Sequence, residues 1–139
     1  MDELLAAYQA TNYRVRLARG GYATIKVDRP LPVDLLPLVG AHSWGFITAW
    51  NPLSQPISRQ LNRQPQRLLL RALRECPGTA AIYAALGVGS EGPWKEPSLF
   101  VVGPEIGQLD PLAQCFGQNA YVHGRGDGPA FLRWTREQL

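Results

Sequence analysis

The chain has 139 residues, of which 45% are apolar and 18% are charged, a composition typical of a folded globular domain rather than a disordered segment. This length predicts one domain, residues 1–139, with one hydrophobic core. The net charge of +3 permits an acidic partner, whereas a dedicated nucleic-acid domain is usually more basic.

The sequence carries no sign of export or membrane insertion. Its first residues lack a basic segment followed by an apolar one, and no stretch of about 18 apolar residues occurs. We therefore expect a cytoplasmic protein that does not bind membranes. The two cysteines, Cys76 and Cys115, are widely separated, so we expect reduced thiols that pack in the core.

The first forty residues predict a helix followed by a β-hairpin. Leucines and a tyrosine at helical spacing indicate a helix at residues 2–10. Residues 13–17 and 22–27 each alternate apolar with polar side chains around Gly20-Gly21, which is typical of a hairpin. Three prolines then leave space only for a turn of helix at 33–39.

The central segment predicts a buried strand that leads into the main helix. Residues 44–50 are almost continuously apolar, and Asn51-Pro52 ends the strand because proline cannot donate a ladder hydrogen bond. Either Ser54 or Ser58 can cap the helix that follows. Proline 65 predicts a kink or short break near Gln64. The apolar stripe predicted to face the core is Leu61, Pro65, Leu68, Leu69, Ala72, Leu73 and Cys76.

The last third predicts three strands, at 80–86, 98–102 and 120–123, with a short edge segment at 131–134. Asp110-Pro111 indicates a helix start, and Gly117 ends that helix after residues 112–116. The fold class is therefore α+β, a mixed or antiparallel sheet with two main helices. From residue 44 onward the order is βαββαβ, which is ferredoxin-like, extended by the N-terminal helix and hairpin.

The sequence contains a possible dinucleotide-binding motif and four possible zinc ligands, but neither occurs in the sequence context that such a site requires. Residues 87–92 match G-x-G-x-x-G, but Pro93 and Pro97 follow, so no helix begins there to receive a pyrophosphate. A hairpin loop is the expected structure. His42, His123 and the two cysteines lack the close spacing of zinc ligands, so we predict no metal and no cofactor.

Arginines recur along the main helix at intervals of three and four residues, which places them on one face. This face either binds a nucleic acid or an acidic protein, or is simply solvated. Its residues are Arg59, Arg63, Arg67, Arg71 and Arg74.

Polar and amide side chains cluster in the sequence where strands begin or end. Such residues either cap turns or line a ligand pocket, because loops on a rigid sheet carry many binding sites. The candidate ligand-binding residues are Asn51, Ser54, Asn62, Trp94, Glu96, Ser98, Gln118 and Asn119.

Three ordered motifs carry a family resemblance: I-T-A-W-N-P at 47–52, W-x-E-P-S at 94–98 and F-G-Q-N-A at 116–120. With them the chain resembles the bacterial proteins grouped as Domain of Unknown Function 3293, over roughly residues 13–122. The resemblance implies no activity. The chain departs from the family pattern at Pro65 and in its tail after residue 124.

These observations lead to three hypotheses of function. The first is a small binding or regulatory module whose polar site takes a small molecule. The second is nucleic-acid or acidic-partner binding through the arginine face. The third is an enzyme with Glu96, the only charged member of the polar set, as general base.

Overall fold

A computed structural model describes residues 2–90 and 93–136, and within them seven strands form one antiparallel sheet. The strands are β1 (Asn12–Arg16), β2 (Tyr22–Ile25), β3 (Ser43–Ile47), β4 (Ala81–Val88), β5 (Lys95–Val102), β6 (Ala120–Arg125) and β7 (Phe131–Trp134). Their order across the sheet is β2-β1-β4-β5-β3-β6-β7. The α+β class is confirmed, with an antiparallel rather than a mixed sheet.

The described helices are α1 (Asp2–Ala10), α2 (Leu36–Val39), α3 (Arg59–Glu75) and α4 (Ile106–Cys115), with 3-10 turns at Val33–Leu35 and Pro52–Ser54. The predicted N-terminal helix, hairpin and short helical turn are therefore all present. Of the two candidate caps for α3, Ser58 is the one used, because its side chain accepts a hydrogen bond from the Leu61 amide.

The sheet curls so that its two edges approach each other. The segment after β2 pairs with the segment before β7, through Asp28 N–H donating to Ala130 at 2.8 Å and Ala130 N–H donating to Arg29 at 2.9 Å. A bridge between Pro30 and Pro129 continues this contact. The curl gives the sheet an inner face and an outer face, and each carries its own apolar cluster.

The inner face holds the larger cluster, built from side chains such as Val15, Trp44 and Phe100, and α2 adds Val39 to it. Close packing requires a glycine opposite Trp44, because a Cβ at Gly124 would lie 2.6 Å from the tryptophan ring. The outer face is covered by α3 and α4, whose buried residues include Leu69, Leu73, Leu109 and Ala113.

The main helix differs from the sequence prediction in two respects. It has no break at Pro65, since α3 is one continuous helix that tertiary packing holds in place, whereas the alternative of a kink near Gln64 stays a prediction. Its buried side is also rotated from the predicted stripe. Leu61 is 65% exposed and Leu68 is 42% exposed, while Asn62 is fully buried.

Helix α4, the second of the two main helices, begins earlier than predicted. Glu105 caps α4 through a capping box with Gln108, so Asp110-Pro111 lies inside the helix rather than at its start. The Asp110 carboxylate instead accepts hydrogen bonds from Tyr121 at 2.6 Å and from Arg133. The prediction that Cys115 packs in the core is also wrong, because this thiol is exposed.

The hairpin between β4 and β5 is longer than predicted. Strand β5 begins at Lys95 rather than Ser98, so most of W-x-E-P-S belongs to the strand. Gly89 N–H donates to the Trp94 carbonyl at 2.9 Å and closes the turn. Two residues of the G-x-G-x-x-G match, Glu91 and Gly92, lie outside the described residues.

Candidate functional site

A cavity of about 600 Å³ opens at one end of the inner face, between the strand ends and α1. Strands β3, β4, β5 and β6 provide its floor through residues such as Phe46, Gly87, Ser98 and Ala120. Small side chains of α1, including Ala7, form its roof. This volume lies within the range of small-molecule sites in proteins.

The predicted polar residues meet at this cavity. Six of the eight line it directly: Asn51, Ser54, Trp94, Glu96, Ser98 and Gln118. The other two, Asn62 and Asn119, do not line the cavity but hydrogen-bond to residues that do. The antiparallel pairing explains the convergence. The last residues of β3 lie beside the first residues of β5 and β6, at the same end of these neighbouring strands.

Asn62 fixes the orientation of Asn51. The Asn51 N–H donates to Asn62 Oδ1 at 2.7 Å, and Asn62 Nδ2 donates to Asn51 Oδ1 at 2.9 Å. The Ile57 amide donates to the same Asn51 oxygen at 3.1 Å. Because Asn51 Oδ1 is committed to this network, the amide nitrogen of Asn51 is left for the cavity.

The F-G-Q-N-A segment holds the turn that follows Asn51. Gln118 Nε2 donates to the Trp50 carbonyl at 3.1 Å, and Asn119 Nδ2 donates to Ser54 Oγ at 3.0 Å. The Leu53 amide donates to the Gly117 carbonyl at 2.7 Å. Gly117 has φ +69°, and a Cβ there would lie 3.0 Å from Pro52, so this position favours glycine.

The backbone of that turn is strained. Asn51, Leu53 and Ser54 have φ values of 48°, 59° and 60°, in the left-handed region that non-glycine residues rarely adopt. Each such residue costs on the order of 1 kcal/mol or more, and strain of this kind concentrates at functional sites. The surrounding contacts therefore hold this turn in a backbone conformation that its residues do not favour by themselves.

Glu96 is the partly buried carboxylate of the cavity. Burial raises the pKa of this group to about 7, although hydrogen bonds from Asn51 and Trp94 favour its ionised form. Burial also raises the pKa of the neighbouring Tyr8, and the charge of Glu96 adds to that rise. No lysine or arginine is present among the described lining residues, so nothing of that kind offsets the Glu96 charge.

Sequence reasoning missed the residues that complete the walls. The cavity is also lined by Tyr8, Tyr13, Phe46 and Thr48. In the sequence, these residues are equally typical of positions in the hydrophobic core. Gln66 was missed as a support: its side chain accepts from Ala49 N–H at 2.8 Å and donates to the Pro97 carbonyl at 3.2 Å. One signal was available, because Gln66 lies four residues after Asn62 and so shares its buried face.

The arginine face of α3 lies away from the cavity. All five of its arginines are exposed, on the outer side of the helix. Among the residues that the structure describes, no three His, Cys, Asp or Glu side chains are grouped so that they could hold a metal ion. Across the same residues, no helix combines the length and apolarity needed to cross a bilayer.

Comparison with known proteins places the cavity in a family context. A family model described as "Protein of unknown function (DUF3293)" matches residues 47–121, more than half of the chain. The chain belongs to this family. The family's description assigns no activity, so the protein is uncharacterised in function. Comparisons with curated proteins and with solved structures gave no match.

The part of the chain that matches DUF3293 is shorter than the 13–122 expected from the resemblance. It contains all three motifs and therefore the polar side of the cavity, from Asn51 to Gln118. The roof helix α1 and the wall residue Tyr13 lie outside the matched segment. The polar half of the cavity thus belongs to the DUF3293 match, whereas the roof does not.

Proposed function

We propose that this DUF3293 protein is a bacterial, cytoplasmic module that binds a small molecule in the cavity beneath α1. The observation that carries the proposal is the meeting of the three motifs around one cavity of about 600 Å³. Thr48 Oγ1 donates to the Pro97 carbonyl at 2.7 Å, and Gln118 donates to the Trp50 carbonyl, so the three segments hold one another in position.

The chemistry of the lining favours a neutral or cationic ligand. Its ionisable members include the carboxylates of Glu3 and Glu96, and no described lysine or arginine is present to receive a phosphate or carboxylate. The Glu96 carboxylate is a hydrogen-bond acceptor by its chemistry. Phe46, Tyr13 and Trp94 supply apolar walls. An amine- or amide-bearing molecule with an apolar body fits these groups best.

A thermal-shift screen with amine- and amide-bearing metabolites tests the proposal. A ligand at about 100 times its Kd stabilises the folded state by about 2.7 kcal/mol, which raises Tm measurably. We expect hits with the unmodified protein and none with Gly87→Leu. Gly87 lines the cavity, and a Cβ there meets only ordinary contacts, so a leucine fills space without a backbone clash.

Ala84→Leu is the matched control. It adds a leucine to the same strand, but on the opposite face, at an exposed position. A hit that stabilises Gly87→Leu as much as the unmodified protein would show that the ligand binds elsewhere and would contradict the proposal.

A second candidate is an enzyme with Glu96 as general base. It is favoured by one observation, a recessed carboxylate with a pKa of about 7, where a base is most effective at neutral pH. Each ligand from the screen would be incubated with the protein and analysed by mass spectrometry. An enzyme is expected to convert it, and Glu96→Gln is expected to bind the ligand without conversion. Conversion by Glu96→Gln would exclude this role.

We further infer a ferredoxin-like core within the sheet. Strands β3, β4, β5 and β6 with helices α3 and α4 follow one another as βαββαβ. In this interpretation α1, β1, β2 and β7 are additions that extend the sheet and roof the cavity.

A further inference from the structure

A groove runs along the outer face of the sheet between α3 and β4. We call it the α3–β4 groove. It has a volume of about 460 Å³ and lies on the side of the sheet opposite to the cavity. Its lining is mainly aliphatic and includes Leu70, Ile82, Ala84 and Leu99, with Arg74 at one wall. Ala84 is exposed and Ile82 is half-buried, so the floor is open to a partner.

The arginine face of α3 borders this groove. Leu70 lines the groove and lies three residues after Arg67 and four before Arg74, so these three residues share one flank of the helix. Successive arginines four residues apart are separated by about 6 Å along the axis. The wall is therefore a row of exposed guanidinium groups above an aliphatic floor.

Strand β1 provides basic residues on the other side. Arg14 pairs with Leu86 of β4, and its side chain lies on the outer face because its neighbours Tyr13 and Val15 are in the inner cluster. Arg16 lies two residues further along, on the same face. Arginines thus flank the aliphatic floor from both α3 and β1.

These seven arginines have no acidic partners in the part of the chain that the structure describes. The ion pairs formed there join Arg19 to Asp34, Arg125 to Glu105 and Arg133 to Asp110, all away from the groove. Like charges at helical spacing repel one another, and a complementary acidic partner removes that cost.

We propose that the α3–β4 groove docks an acidic, amphipathic segment of a partner protein. Apolar side chains of the segment lie on Ile82, Ala84 and Leu70, and its carboxylates meet the two arginine walls. The aliphatic floor favours a protein over a single-stranded nucleic acid, which binds by stacking bases on aromatic side chains. Tyr83 contributes to the lining of the groove, but its ring packs against Phe100 in the inner cluster. The exposed Tyr22 lies on edge strand β2 rather than on the floor.

Fluorescence anisotropy with a labelled helical peptide of glutamate, leucine and alanine tests this inference on the full chain. We expect salt-sensitive binding that weakens about tenfold in Arg63→Ala/Arg67→Ala. Ala84→Glu, which fills the floor and adds a repelling charge, is expected to weaken it at least as much. Arg19→Ala/Arg29→Ala removes the same charge elsewhere and is expected to change the Kd less than about twofold.

Three results would overturn the proposal. The first is the absence of peptide binding at low salt. The second is an equal loss in the groove variant and in the Arg19→Ala/Arg29→Ala control, which would indicate net charge alone. The third is binding of oligouridylate or duplex DNA that is tighter than binding of the peptide and that keeps the same Kd in Ala84→Glu. Since Ala84 and the four substituted arginines lie on the surface, Tm measurements are expected to show folded variants throughout.

Discussion

Replacing Asn62 with leucine is expected to lower the free energy of unfolding by about 2 to 4 kcal/mol. Leucine has a similar volume, so the main loss is of hydrogen bonds rather than of packing. The fully buried Asn62 accepts from Asn51 N–H at 2.7 Å and donates to Asn51 Oδ1. The substitution leaves the Asn51 amide without its acceptor in a buried position. Urea denaturation monitored by circular dichroism measures the change.

Gln64→Leu is the control for this prediction. It makes the same kind of substitution two residues later in α3, at an exposed position, and is expected to change stability by less than about 0.5 kcal/mol. Equal stability of Asn62→Leu and the unmodified protein would contradict the importance of the buried amide pair. A large loss in Gln64→Leu would instead indicate a general intolerance of leucine in this helix.

Asn62 also links stability to the cavity. Its amide holds Asn51 Oδ1, and that leaves the Asn51 amide nitrogen to hydrogen-bond with Glu96. Without this constraint, Asn51 is free to rotate its side chain. A ligand held by Asn51 and Glu96 is therefore expected to bind Asn62→Leu more weakly, even under conditions where that variant remains folded.

The polar half of the cavity could be predicted from the sequence, because its residues lie next to the predicted ends of strands. Asn51 follows a buried strand and Gln118 precedes another, and in an antiparallel sheet those ends meet. Roles within the set were not accessible. Asn62 and Ser54 belong to the same pattern, yet only the structure distinguishes the buried support from the lining residue.

The buried side of α3 could not be predicted for a different physical reason. Helical spacing predicts a stripe of buried positions from the apolar residues. It does not show that a polar residue is buried while a neighbouring leucine is exposed. Asn62 is buried because Asn51 needs hydrogen-bond partners, and Leu61 is displaced to the surface as a result. The Asp110-Pro111 start signal is likewise overridden, in this case by a local interaction, because Glu105 and Gln108 form a complete capping box about one turn earlier.

Helix α3 connects the two surfaces proposed for this protein. Its inner side carries Asn62 and Gln66, which support the turn and the strand ends at the cavity. Its outer flank carries the arginines beside the α3–β4 groove. Because one rigid helix positions both, a partner in the groove and a ligand in the cavity act on opposite sides of the same element. The two sites can still be separated experimentally, since Arg63 and Arg67 do not line the cavity.

The free energy of unfolding is expected to fall by on the order of 2 to 3 kcal/mol between about pH 4.5 and pH 7 because of Glu96. Its ordinary pKa is 4.5, and burial raises the pKa in the folded protein to about 7. The folded state therefore holds the proton more tightly than the unfolded state. The resulting stabilisation is fully present below pH 4.5 and is lost as the pH rises through 7.

Glu96→Gln is expected to remove this slope and to be more stable than the unmodified protein at pH 8. The comparison isolates Glu96, because the lowered pKa of His123 gives a slope of opposite sign that both proteins share. Asp110→Asn is the carboxylate control: Arg133 lowers the Asp110 pKa, so its stabilisation is lost only as the pH falls below its ordinary value of 3.8. Urea denaturation at several pH values measures all three proteins. Parallel curves for Glu96→Gln and the unmodified protein from pH 4.5 to 8 would mean that Glu96 is solvated, and would remove the basis for both its ligand-binding and its general-base role.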